Sequence, residues 1–268
     1  MTDLSANVAR LLGIDAISLV WFASGDLSSL YRARLPDGRH VIVKSGPAPM
    51  VEADMLRAIA MTGAPAPAVI AADETVLLME EIAGRSGPGN AQADLGTVLA
   101  KLHAPTDRRF GWPDDYAFGR VTIHNRTASS WVEFWRDNRI VNNLPHVPRD
   151  LARRLEHLAG DLGNLIPDQP PAALVHGDLW SGNVMSIGDR ITALIDPASY
   201  YGDGEVDLAM LSLFGRLDRA FFDNYRPLEP GFAERQPVYS LWPALVHLRL
   251  FGEGYRSMVE GFLYAIGH

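Results

Sequence analysis

Apolar residues first recur at helical spacing. Leu4, Val8, Leu11 and Leu12 lie three and four positions apart, with Gly13 following as a stop, which predicts a short amphipathic helix. The pattern then becomes strand-like. ISLVWFAS (17–24), LYRARLP (30–36) and RHVIVKS (39–45) read as strands, the last two joined by the turn Pro36-Asp37-Gly38. Val51, Met55, Leu56 and Ile59 return to helical steps that end before Gly63, so a helix is predicted over Val51–Met61. Past the Pro65 and Pro67 loop, AVIAA (68–72) and TVLLMEEI (75–82) are two further strands.

Beyond residue 90 the periodicity is mostly helical. DLGTVLAKLH, SSWVEFWRDNRI, DLARRLEHLAGDL, EVDLAMLSLFG and LWPALVHLRLF all carry apolar residues at three- and four-residue steps. The exception is VMSIGDRITALID (184–196), two short apolar runs around Gly188-Asp189 that read as a hairpin. Between the two regimes lies AGRSGPGN (83–90), a glycine-rich polar stretch that reads as a linker. The expectation is an α+β chain of two lobes, a sheet-rich lobe over 1–82 and a larger, mainly helical lobe over 83–268.

Composition narrows the function. The 268 residues are 47% hydrophobic and 21% charged, as in ordinary globular proteins, and are enough to bury a sizeable core. A net charge of -8 argues against general nucleic-acid binding, which needs a basic face. An anionic ligand must therefore meet local positive charge, a helix N-terminus or a metal ion. The absence of cysteine removes disulfides, thiolate metal sites and cysteine nucleophiles, and fits a reducing cytoplasm. The first residues do not read as a signal peptide, and no apolar run approaches the roughly 20 residues of a membrane span.

The polar residues of VHGDLWSGNVM (175–185) gain meaning from the hairpin behind them. It starts just after Asn183 and ends just before Asp196, so antiparallel pairing brings these two hard oxygen ligands together for one cation of the Mg²⁺ type. Asp178 precedes Asn183 by five residues, near enough to face the same pocket. In the first lobe, Lys44 ends the strand VIVKS and Glu52 sits in the first turn of the next helix. Strand lysine, helix glutamate, catalytic-loop aspartate, metal-binding asparagine and second metal-binding aspartate are the parts of a kinase, in kinase order. Taken singly, each has a common structural role: Lys44 as a solvated strand end, Glu52 as a helix-start acid, His176 as a hydrogen-bonding histidine, Asp196 as a turn former before Pro197. Their joint occurrence carries the reading.

HGDLWSGN (176–183), with IDPASYYGDGEVDLAMLSLFG (195–215), resembles the fructosamine-kinase, or ketosamine-3-kinase, family of aminoglycoside-phosphotransferase-like kinases. RFGWPDDYAFG (109–119), SSWVEFWRDNRI (129–140) and LFGEGYR (250–256) extend the similarity. The resemblance implies a bilobal protein-kinase-like fold and ATP- and Mg²⁺-dependent phosphorylation of the O3 hydroxyl of a ketosamine, free or protein-bound. It implies Asp178 as catalytic base, Asn183 and Asp196 as metal ligands, and Lys44 with Glu52 as the phosphate-orienting pair. Asp207 would brace the catalytic loop, and Glu80 to Ile82 would offer backbone groups to adenine. Trp180, Tyr200 and Tyr201 are candidates for the sugar pocket, whereas His103, Trp131 and Trp135 read as core or hydrogen-bonding residues.

Two departures stand out. The phosphate loop is reduced to Ser24-Gly25-Asp26-Leu27-Ser28-Ser29, which leaves backbone amides and the Ser28 and Ser29 hydroxyls to hold the nucleotide. The loop cysteine of some relatives is absent. The rival readings are a kinase for an aminoglycoside, choline or another hydroxylated amine, and a pseudokinase. The last predicts loss of at least one of Lys44, Asp178, Asn183 and Asp196, and all are present.

Overall fold

The computed structural model describes residues 2–15, 17–24 and 29–268. Its first part runs α1 (Thr2–Leu12), β1 (Leu19–Ser24), β2 (Ser29–Arg34), β3 (His40–Ser45), α2 (Pro49–Met61), β4 (Val69–Ala72) and β5 (Leu77–Glu80). The strands form one antiparallel sheet in the order β1-β2-β3-β5-β4. Alternation along β3 decides what each face receives. Val41 and Val43 pack with Val8 and Leu78 under α1, while Ile42 packs with Ala53 and Leu56 of α2 on the opposite face. Lys44 has the parity of Ile42, so it too points toward α2.

That helix opens two residues earlier than the apolar spacing predicts, because Pro49 supplies its first turn. Met55, Ala58 and Ile59 carry its far side into the large core of the second part. One helix therefore belongs to both cores.

The second part comprises β6 (Arg85–Ser86), α3 (Gln92–Leu102), β7 (Tyr116–Phe118), β8 (Val121–Ile123), α4 (Trp131–Trp135), α5 (Arg149–Leu165), β9 (Ala172–Val175), β10 (Val184–Ile187), β11 (Arg190–Leu194), β12 (Tyr200–Asp203), α6 (Glu205–Leu213), α7 (Arg219–Asn224), α8 (Phe232–Phe251) and α9 (Arg256–Ala265). The expected hairpin is β10–β11, with Val184 opposite Leu194. The α+β order, sheet first and mainly helical afterwards, is the one expected.

Three local readings are corrected. The stretch 83–90 is pinned to the hairpin: Arg85 and Ser86 pair with β10, and Gly87 N–H donates to Val184 C=O at 2.8 Å. A two-residue strand has no periodicity to detect. The helix expected over 129–140 stops at Trp135 and widens into a π-turn, Arg136–Ile140, that turns Arg139 into the core. There its guanidinium lies 4.3–4.8 Å from the ring centres of Phe134, Tyr200 and Trp242 and donates to Asn125 Oδ1 at 2.8 Å. Tyr200 is consequently a buried core residue, with its ring against Arg139 and Phe134, and is not a wall of the sugar pocket. Tyr201, on the other face of β12, stacks on Trp112 and lies outside the residues lining the cleft.

Candidate functional site

Lys44 Nζ donates to Glu52 Oε1 at 2.7 Å and to Asp196 Oδ1 at 2.8 Å. The lysine is 6% and the glutamate 2% exposed, so the pair is held out of water. Burial opposes the Lys44 ammonium, but the charges of Glu52 and Asp196 outweigh it and hold its pKa above the usual value. Burial raises the pKa of Glu52, with Lys44 opposing. Asp196 has φ of 55°, the one left-handed non-glycine residue among those described, a conformation an aspartate tolerates better than most side chains.

The segment 176–183 follows β9, whose residues are all buried. Asp207, in the first turn of α6, accepts the N–H groups of His176 at 2.7 Å and Gly177 at 2.9 Å, and also His103 Nε2 at 3.0 Å. Burial would raise the Asp207 pKa, but these bonds and the neighbouring histidines hold it below the usual carboxylate value. This is the brace implied by the resemblance, and His103, buried and hydrogen-bonded as expected, supports it from the end of α3. Gly177 has φ of 81°, and a Cβ there would sit 2.1 Å from Ala198 O, so only glycine makes this turn. His176 Nε2–H donates to Ile195 C=O at 2.9 Å, and burial lowers its pKa, consistent with a structural histidine.

Asp178 is half-buried at the end of this turn. Its pKa is pushed up to about 8, first by burial and then by the charge of Asp196, with the Asn183 amide opposing. Asn183 Nδ2 donates to Asp178 C=O at 2.8 Å and to its Oδ2 at 3.2 Å. With that nitrogen engaged, the amide oxygen is the atom Asn183 offers a cation; on Asp196 it is Oδ2, since Oδ1 holds Lys44. Two hard oxygens fit a cation that completes its shell with phosphate and water. Among the described residues, no group of three or more His, Asp or Glu is placed to form a fuller metal cage.

Lys44, Asp178, Asn183 and Asp196 meet at one end of a cavity of about 800 Å³. Trp180 lines it too, 41% exposed, with its ring so close over Gly182 that a Cβ there would be 2.2 Å from it. Ser28 lies outside the described residues; Ser29 opens β2, one residue before Leu30, the partner of Lys44. Glu80 N–H is engaged by Ala68 C=O at 2.9 Å, and Ile82 lies just past the end of the strand.

Periodicity did not reveal Tyr116. From β7 its hydroxyl donates to Glu52 Oε2 at 3.0 Å, so the second lobe holds the glutamate that holds the lysine. The only hint was its place in the RFGWPDDYAFG stretch. Tyr116→Phe leaves a buried carboxylate oxygen without its donor. It is expected to cost about 1.5–3 kcal/mol, read from the midpoint of urea unfolding at unchanged slope.

A strand lysine clamped by a helix glutamate, set over a helical lobe whose buried strand ends in a braced aspartate turn, defines a phosphotransferase of the protein-kinase-like class that acts on a hydroxyl group. The fold is shared with aminoglycoside phosphotransferase APH(4)-Ia, at a TM-score of 0.69 and 16% identity over 98% of this chain and 99% of that one. Within the class, the chain belongs to the fructosamine kinase family, whose sequence profile matches residues 44–266. A Thermobifida fusca protein assigned as a fructosamine-3-kinase superposes with a TM-score of 0.87 and 32% identity over 99% of both chains. A Synechocystis protein assigned as a ketoamine kinase is 36% identical over 208 residues, 72% of this chain and 68% of that one. A protein-ribulosamine 3-kinase of Arabidopsis thaliana is 32% identical over 194 residues, 68% of this chain and 58% of its own length.

Proposed function

We propose that the enzyme transfers the γ-phosphoryl group of ATP to the O3 hydroxyl of a ketosamine, free or protein-bound. The observation that carries this is the meeting of the Lys44–Glu52–Asp196 cluster with the Asp178–Asn183 pair at one end of a single cavity. Support comes from the relatives named for ribulosamine and fructosamine, and from a structure of APH(4)-Ia in ternary complex with AMP-PNP and hygromycin B.

In this reading Lys44 presents its ammonium to the nucleotide phosphates, and the 80–82 segment, through Ile82, meets adenine. The Ser28 and Ser29 hydroxyls are candidates to hold the nucleotide. Asn183 and Asp196 hold Mg²⁺, whose role is to neutralise charge on the phosphoryl oxygens. Asp178 takes the proton of the attacking hydroxyl; a raised pKa makes the ionised carboxylate a stronger base. Trp180 flanks the sugar. The lobe boundary is taken at 82/83, and the setting is cytoplasmic; no helix among the described residues is long and apolar enough to cross a membrane.

The cavity also argues for an acceptor with one ammonium group over a polycationic aminoglycoside. Among the described residues, its carboxylate lining is Asp178 and Asp196. The other nearby acids are engaged elsewhere, Asp203 accepting from Tyr239 OH at 2.8 Å and Glu205 paired with Arg235 at 2.6 Å. An ADP-release screen tests the choice: a ribulosyl- or fructosyl-amine should exceed kanamycin and choline by at least roughly tenfold in kcat/KM. A preference for kanamycin or choline would reject it.

Gly182→Ala forces the Trp180 ring to move. It should raise KM for the ketosamine by about three- to tenfold and leave KM for ATP within about twofold, as loss of a sugar contact requires.

A further inference from the structure

The same cavity has a second end that phosphoryl transfer leaves unused. Phe214, which caps α6, and Trp242, Val246, Leu250 and Phe251 of α8 build it, together with Tyr255 beyond that helix. His247 stands among them, its ring centre 5.3 Å from Phe214, 5.6 Å from Phe251 and 5.0 Å from Tyr255. Its Nδ1–H donates to Pro243 C=O at 2.7 Å, which fixes the ring plane. Phe214 and Phe251 remain 46% and 49% exposed, so aromatic surface stays open to solvent beside the catalytic groups. The Lys, Asp and Glu side chains among the described lining residues are Lys44, Asp178 and Asp196, all at the polar end.

We infer that this end binds the substituent on the ketosamine nitrogen, and that the substituent it favours is a neutral arylalkyl group. The inference rests on the ketosamine reading. In such a substrate O3, C3, C2, C1 and the nitrogen are consecutive atoms, so when O3 faces Asp178 the substituent starts within the same cavity. Trp180 and the charged groups occupy the polar end, and the aromatic end is where the chain beyond nitrogen lies. A ring there stacks on the Phe214–His247–Phe251 cluster and removes apolar surface from water on both sides. The carboxylate of a glycated amino acid finds no Lys or Arg among the described lining residues there and loses hydration. A glycated lysine side chain offers no ring and gives up more rotamer freedom on binding.

The test keeps the sugar constant and varies the amine: 1-deoxyribulose joined to phenethylamine, to glycine and to the ε-amine of Nα-acetyl-lysine amide. The phenethylamine derivative should lead both others by at least about tenfold in kcat/KM, through KM with kcat similar, because the contact is the same in ground and transition states. In Phe251→Ala, and separately Phe214→Ala, that ratio should fall toward one; both side chains are half exposed, so the fold should tolerate their loss. Calorimetric binding of the three compounds should follow the same order without turnover. If the glycine or lysine derivative equals the phenethylamine derivative, the subsite is wrong and the ketosamine kinase stands. If no ribulosamine reacts or binds while kanamycin or choline does, both fall.

Discussion

Asp178→Asn is expected to lower kcat by about 10² to 10⁴, the usual range for loss of a general base, with KM for ATP nearly unchanged. The substitution is close to isosteric. The main-chain contacts of residue 178, Asn183 Nδ2 to its C=O at 2.8 Å and its N–H to His176 Nδ1 at 3.4 Å, survive it, and Asn183 Nδ2, which also donates to Asp178 Oδ2 at 3.2 Å, can donate to the new amide oxygen instead. The Asp207 brace is untouched as well. What disappears is the carboxylate proposed to accept the hydroxyl proton. Steady-state kinetics at saturating ATP and acceptor read the effect, and circular dichroism checks the fold. Near-normal turnover would show that another group takes the proton.

The second large effect belongs to Asp196. Asp196→Asn retains a residue that tolerates φ of 55° while removing its charge. It withdraws both the anionic ligand of the proposed cation and one of the two carboxylates holding Lys44. Turnover should drop by at least about 10³-fold even at saturating ATP, since charge neutralisation acts in the transition state and each factor of ten is about 1.4 kcal/mol. Excess EDTA should bring the unaltered enzyme to a similar level, with activity returning on addition of Mg²⁺. Full activity in EDTA, or in the variant, would remove the cation from the account.

Lys44, Glu52, Asp178, Asn183 and Asp196 were legible because their positions depend on local periodicity. Strand parity turns Lys44 toward α2, the first turn of that helix carries Glu52, and a hairpin of known length joins Asn183 to Asp196. Tyr200 and Tyr201 were misplaced because nearness to Asp196 along the chain does not say which face of β12 a side chain takes. The π-turn that delivers Arg139 beneath Tyr200 has no sequence period of its own. Tyr116 and the aromatic wall of α8 were missed for a related reason. LWPALVHLRLF shows that a helix has apolar faces, but one packs in the core through Leu241 and Leu245 and another lines the cleft through Val246 and Leu250. Only tertiary arrangement tells the two apart.

The position of the transferred phosphate tests the central claim most directly. A ribulosamine or fructosamine incubated with the enzyme, ATP and Mg²⁺ should show, by phosphorus NMR, a monoester signal coupled to the C3 proton. That signal should decay to inorganic phosphate as the amine is released, because a phosphate at O3 is β to the C2 carbonyl and can be eliminated. A stable monoester on another hydroxyl, or product formed from an aminoglycoside or choline and from no ketosamine, would contradict the account.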